Sequence, residues 1–168
     1  DADLRRSSVE KKLGLKTHGK GLTDFVLDHG AVPMDFLVKD PRSNLLIMPP
    51  GSAKFVNATD IFSSQRMKQI TEILRESADF VIFDSPPVMA VADARLIGRI
   101  ADKTLFVIRW NKTPAKVVKA ALKILRSSGT EVAGVVLQSV DLKRYGQLGY
   151  GDSGYYYHYG RYGQYYEG

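Results

Sequence analysis

Four consecutive apolar residues, Phe80 to Phe83, run directly into Asp84-Ser85-Pro86-Pro87. A run without alternation of apolar and polar residues predicts a strand buried on both faces, and such strands belong to parallel sheets clad by helices. An aspartate where that run ends would stand at the carboxyl edge of the sheet, the place where open α/β sheets bind their ligands. The two prolines stop the strand and stiffen the loop, because neither can donate a backbone hydrogen bond and each biases its predecessor away from helix. Asp84 is therefore a candidate site residue, the alternative being a cap on the element that follows.

The rest of the chain alternates helix and strand. Short helices are expected at Ser7 to Leu13 and from Thr23 to about Gly30. An apolar strand is expected from Leu45 to Met48, running into Pro49-Pro50-Gly51. Ser63 or Ser64 opens a helix whose Met67, Ile70 and Leu74 share a face; further elements are a helix over Ala92 to Ala101 and strands at Thr104 to Arg109 and Val132 to Gln138. Between the last two strands, Thr113-Pro114 reads as a helix start and Gly129 as its stop. Strand, helix and strand in repeated order imply parallel crossovers. The expected fold is an α/β layered domain, with a mostly parallel sheet and helices on both faces.

The 168 residues, 44% hydrophobic and 25% charged, suit one globular domain. No run reaches the roughly 20 apolar residues of a membrane span, and no basic-then-apolar leader is present. The absence of cysteine excludes disulfides and cysteine-based metal sites and agrees with a reducing compartment. His18, His29 and His158 lack metal-ligand spacing. The first residue is Asp rather than Met and opens directly onto a motif, so the true start is expected to lie upstream.

The net charge of +6 is uneven: seven lysines and arginines and no acid fall between Lys103 and Arg126. In the helix expected there, Val118, Ala121, Leu122 and Leu125 share one face, and Lys116, Lys119, Lys123 and Arg126 the other. That pattern reads first as a solvated helix face and second as a patch for phosphates, nucleic acid or anionic lipid.

Past Ser139 the composition changes. All nine tyrosines (Tyr145, Tyr150, Tyr155, Tyr156, Tyr157, Tyr159, Tyr162, Tyr165 and Tyr166) lie here, interleaved with glycine. A segment so poor in aliphatic residues buries too little to offset its ordering entropy, so residues 141–168 are expected to form a flexible tail behind a folded region of 1–140. The tail is either adhesive low-complexity sequence or a set of phenols presented to a kinase. At the other end, Asp1-Ala2-Asp3 would point two carboxylates the same way if extended. Together with Asp84 they could hold Mg²⁺ through water and accept a hydroxyl proton, as phosphoryl transfer requires; a surface Asp-x-Asp is the plainer alternative.

Taken together these residues resemble the bacterial tyrosine kinases that accompany capsule and exopolysaccharide export. Asp1-Ala2-Asp3-Leu4-Arg5 is similar to that family's Walker A′ motif, Phe80 to Pro87 to its Walker B, and the tail to its tyrosine cluster. Gly21-Leu22-Thr23-Asp24, Met48-Pro49-Pro50-Gly51 and Ser63-Ser64-Gln65-Arg66-Met67 resemble its connecting stretches in the same order. The resemblance implies a P-loop NTPase-like fold of the deviant Walker type and a tyrosine autokinase using ATP and Mg²⁺. Asp84 and Asp1 would serve the metal, Asp1, Asp3 and Asp84 the chemistry, and Arg5, Arg109 and Gln138 the nucleotide side. It also implies a homo-oligomeric ring in which the tail of one chain enters the site of the next. The implied partners are an inner-membrane polysaccharide copolymerase, fused or separate, and a cognate tyrosine phosphatase, with no nucleic acid expected. The implied location is the cytoplasmic face of the bacterial inner membrane.

Three features depart from the family pattern. The Walker A loop, with the glycines and lysine that cradle phosphates, is absent, so the chain alone is expected to bind ATP poorly and to be inactive. Val56 to Asp60 replaces a proline-rich run, and Gln138 stands where an asparagine is usual. A positioning ATPase of the ParA/MinD type and a non-catalytic scaffold of the export machinery are the alternatives.

Overall fold

A computed structural model of the chain describes residues 1–16, 19–53, 57–141 and 144–145. Helices α1 (Val9–Leu13) and α2 (Leu22–Leu27) are followed by a 3-10 turn at Pro33–Phe36 and an antiparallel ribbon of β1 (Val38–Lys39) and β2 (Leu46–Ile47). Then come α3 (Ala58–Ser63), α4 (Gln65–Ser77), α5 (Asp93–Ile100), β3 (Thr104–Arg109), α6 (Ala115–Ser127) and β4 (Val132–Gln138).

The start signals act as expected where a side chain can supply them. Ser64 Oγ accepts the Met67 N–H at 3.0 Å and opens α4, and Asn57 Oδ1 accepts the Thr59 N–H at 3.1 Å and opens α3. In α2 the box is closed from inside, with Asp24 Oδ2 accepting the Gly21 N–H at 2.9 Å. Gly129 takes a φ of 80° just past α6, the left-handed conformation that ends a helix cheaply when the residue is glycine.

β3 and β4 pair in parallel across the α6 crossover, from Thr104 opposite Val132 to Arg109 opposite Gln138. On β3, Ile108 is buried, as are Ala121 and Leu125 of α6. The main core lies elsewhere: Phe25, Phe36, Ile61, Phe62, Met67, Ile70 and Ile97 pack together with Ala2, so the first residues of the chain are built into it. Phe25 meets Phe36 edge-on at 5.8 Å and carries the Arg66 guanidinium 4.2 Å over its ring.

One expectation requires correction. Phe80 to Phe83 is paired into no sheet among the described residues, and Phe80 and Ile82 are 86% and 83% exposed while Val81 and Phe83 are half-buried. On the β3/β4 pair, Leu105 and Val107 are 64% and 55% exposed on the face opposite Ile108. Apolar residues on both sides of a strand encode two covered faces, and these residues supply the cover for only one. β2 falls within the strand expected from Leu45 to Met48, whereas β1 and helix α3 carried too few residues to register in the pattern, and α2 stops at Leu27 rather than near Gly30.

Candidate functional site

The amino-terminal segment is held between two loops by its backbone. The Asp1 nitrogen donates to the Met48 carbonyl at 2.9 Å, and the Ala2 N–H donates to the Asp84 carbonyl at 2.9 Å. Ala2 itself is only 2% exposed, because a methyl is what fits where the segment passes through the core.

The segment from Met48 to Ser52 is in turn locked to the start of α2. The Leu22 and Thr23 N–H groups donate to the Pro49 and Pro50 carbonyls at 2.8 and 3.0 Å, and Asp24 accepts from the Ser52 N–H and hydroxyl, both at 2.9 Å. Burial alone would raise the Asp24 pKa, but the hydrogen bonds from Ser52 and Gly21 outweigh it and hold the carboxyl below its usual range. The fit leaves no room at Gly51, whose φ is 98° and where a Cβ would lie 2.3 Å from Thr23 Oγ1.

The acids that the sequence singled out are thus neighbours through the backbone, yet their carboxylates are differently engaged. Asp1 Oδ2 accepts from Ser7 Oγ at 2.7 Å and from the Ser8 and Val9 N–H groups at 3.2 Å each, satisfying donors at the start of α1. Asp3 Oδ1 accepts the Arg5 and Arg6 N–H groups at 3.2 and 2.9 Å. Asp84 is exposed and its carboxylate accepts no hydrogen bond among the described residues. No three acidic or histidine side chains among the described residues gather as a metal cage. Mg²⁺ seldom demands one, since it keeps waters and takes one or two carboxylates plus phosphate oxygens, and the open Asp84 carboxylate fits that use.

Arg5 turns away from these acids to Asp93, with Nε 3.1 Å from Oδ2. Asp93 begins α5, and its side chain is 3% exposed against 55% for Arg5. Sequence reasoning missed Asp93. An acid at the first turn of a helix is an ordinary dipole signal, and its burial and its partner 88 residues away leave no local trace.

Arg109 and Gln138 form a second location. They face each other at the ends of β3 and β4, and the Trp110 N–H donates to the Gln138 carbonyl at 3.0 Å. An open groove of about 310 Å³ lies beside them, bounded by Arg109, Trp110, Val118, Lys119 and Leu137. Tyr145 roots here, its ring 6.5 Å from that of Trp110 and its N–H donating to the Asp141 carbonyl at 2.8 Å. Tyr150, Tyr155, Tyr156, Tyr157, Tyr159, Tyr162, Tyr165 and Tyr166 lie outside the described residues.

No family model matches the chain. Individual proteins do. It is 30% identical over 156 residues to the tyrosine-protein kinase wzc of Salmonella typhimurium, covering 93% of this chain and 21% of that one. It is 29% identical over 168 residues to the succinoglycan biosynthesis transport protein ExoP of Rhizobium meliloti, covering 99% of this chain and 21% of that one. Among solved structures, the kinase domain of the Escherichia coli tyrosine kinase ETK matches with a TM-score of 0.77 at 26% identity, over 83% of this chain and 54% of that domain. The chain thus spans about a fifth of the length of these curated relatives. Their fold is the P-loop NTPase-like α/β fold, of which the described elements are a part.

Proposed function

The chain belongs to the bacterial tyrosine kinases of capsule and exopolysaccharide systems, and on that premise we propose that it works as part of an ATP-dependent autokinase whose acceptors are its own carboxyl-terminal tyrosines. The observation that carries the reading is the backbone bond from Ala2 to Asp84. It sets the Asp-x-Asp segment at the start of the sequence beside the acid that closes the Phe80 to Phe83 run near its middle.

In this reading Asp84 holds Mg²⁺ through water, and the metal neutralises charge on the transferred phosphoryl group. Asp3, with Asp1 beside it, orients the incoming phenol and takes its proton. The phenol oxygen then bonds to the γ-phosphorus of ATP as the bond to the β-phosphate oxygen breaks, releasing ADP. Arg5 steadies the acidic segment through Asp93. Arg109 and Gln138, side by side at the strand ends, serve the nucleotide. The acceptors are Tyr145 to Tyr166, offered by one subunit of a ring to the next at the cytoplasmic face of the inner membrane, where a polysaccharide copolymerase activates the kinase and a tyrosine phosphatase resets it. Each phosphate adds about −1.5 to −2 charges, so fully modified tails repel and open the ring, cycling export.

The test is mass spectrometry of the intact protein from cells. Phosphate on the tail tyrosines that disappears in Asp84→Asn supports the reading; phosphate found only elsewhere, or unchanged in Asp84→Asn, overturns it. The 168 residues alone, which contain no Gly-rich loop with its lysine, are expected to bind ATP weakly and to transfer no phosphate. Robust self-phosphorylation of the isolated chain contradicts that expectation.

A further inference from the structure

The most strongly charged surface of the molecule takes no part in that reading. Lys116, Lys119, Lys123 and Arg126 are all exposed on α6. At 3.6 residues per turn they fall within an arc of about 80° and a length of about 15 Å. Exposed Lys112 precedes the helix on the approach to it, and no acidic residue occurs from Lys103 through Thr130. None of these five cations is in an ion pair among the described residues. Solvated helix faces ordinarily mix signs, because alternating charges support the helix at i and i+4. A single-sign row forgoes that support and lays down a linear positive field.

We propose that this face of α6 is an electrostatic docking surface for a bilayer rich in anionic lipid. Three features choose lipid over other polyanions. Helix α6 carries no Asn, Gln, His or aromatic residue with which to read a base edge or stack on one. Three of its four cations are lysine, a hydrated point charge suited to a diffuse layer of headgroups, whereas oriented recognition of a phosphorylated side chain favours the arginine fork. Finally, the apolar side of α6 is spent on the protein, with Ala121 and Leu125 buried and Val118 and Leu122 half-buried. The helix therefore adsorbs on a plane of charge and does not insert, which makes the attachment purely coulombic.

The experiment is co-sedimentation of the 168-residue chain with vesicles of phosphatidylcholine alone or with roughly a third phosphatidylglycerol, without ATP, so that the outcome is independent of kinase activity. Binding is expected to the anionic vesicles only and to be lost near 1 M salt, where the screening length falls to about 3 Å. The variant Lys116→Gln/Lys119→Gln/Lys123→Gln/Arg126→Gln is expected to bind about 1,000-fold more weakly. A variant with equal charge loss at exposed positions elsewhere, Lys11→Gln/Lys12→Gln/Lys16→Gln/Lys20→Gln, should stay within roughly threefold of wild type. Glutamine keeps helix propensity close to that of lysine. If the fourfold variant still fails to fold, the pairs Lys116→Gln/Lys119→Gln and Lys123→Gln/Arg126→Gln should each cost about 30-fold. Four results overturn the proposal: no binding to anionic vesicles, equal binding to neutral vesicles, equal losses in the two fourfold variants, or retention of a duplex DNA that depends on α6 while vesicles are ignored.

Discussion

Removing Arg5 tests how the acidic segment is held. In Arg5→Ala the Asp93 carboxylate, 3% exposed, keeps its burial and loses its partner at 3.1 Å. Breaking a fully buried pair costs about 3–5 kcal/mol and an exposed one about 0.2–1 kcal/mol. Arg5 is 55% exposed, so its half of the pair is already hydrated and the cost must fall between those limits. The α5 dipole still favours a negative group at its first turn by about 0.3–1 kcal/mol in the variant, which lowers the penalty further. The expected loss is about 2 kcal/mol. Asp93→Ala should cost about 1.5 kcal/mol, since the arginine it frees can turn to water. The double variant should then be less destabilised than the sum of the two, with a coupling of about 1–1.5 kcal/mol. Urea unfolding followed by circular dichroism reads all four corners of the cycle, with an unchanged slope confirming that the denatured state is common to them. A coupling indistinguishable from zero would mean that the pair contributes nothing to holding the segment, and the positioning role given to Arg5 fails with it.

Asp24 should make stability acid-sensitive. Its folded pKa is depressed, so the group contributes stability that is fully present above the unfolded value near 4 and is lost as pH falls through the folded pKa. Asp24→Asn should cost about 1–2 kcal/mol at neutral pH and flatten the acid limb of a denaturation profile measured from pH 6 downward; an unchanged limb refutes the assignment. Gly51→Ala must place a methyl where Thr23 Oγ1 and Asp24 Oδ2 stand 2.3 and 2.4 Å away, at a φ of 98°. A loss of at least about 2 kcal/mol in the same urea assay is expected, and a neutral substitution would mean that the loop is not docked on α2.

Strands β3 and β4 and the basic helix between them were legible because each carries its own complete signal. Six or seven apolar-rich residues read as strand, and the α6 stripe reads at helical spacing. Helix α4 was equally legible from Ser64 onward. What the sequence could not convey is which partner closes a pattern. Phe80 to Phe83 encodes two buried faces without saying what covers them, and in this structure Phe80 and Ile82 face outward. Gly21 to Asp24 and Met48 to Gly51 read separately, as a helix start and a strand end; that they interlock depends on main-chain bonds between residues more than 25 apart, as from Leu22 to Pro49. Asp93 was invisible for the same reason. A buried charge shows in a sequence only when its partner lies a turn or two away.

Backbone and side chains make separate statements about the acidic segment. Two ties bracket the loop between Asp84 and Asp93, from Ala2 N–H to the Asp84 carbonyl and from Arg5 to the Asp93 carboxylate, so the main chain of residues 1–5 is fixed against it whether or not the carboxylates converge. Recruiting Asp1 to an ion held by Asp84 would mean turning its side chain away from its present partners. That rotation surrenders the bonds from Ser7, Ser8 and Val9, each worth about 0.5–1.5 kcal/mol net and each partly open to water. Those bonds start α1, which is five residues long and buries none of them. Helix α1 is thus the element with least to lose, and recruitment of Asp1 by a metal would appear as faster amide exchange at Val9 to Leu13 while the protection of Ala2 against Asp84 stays as it is.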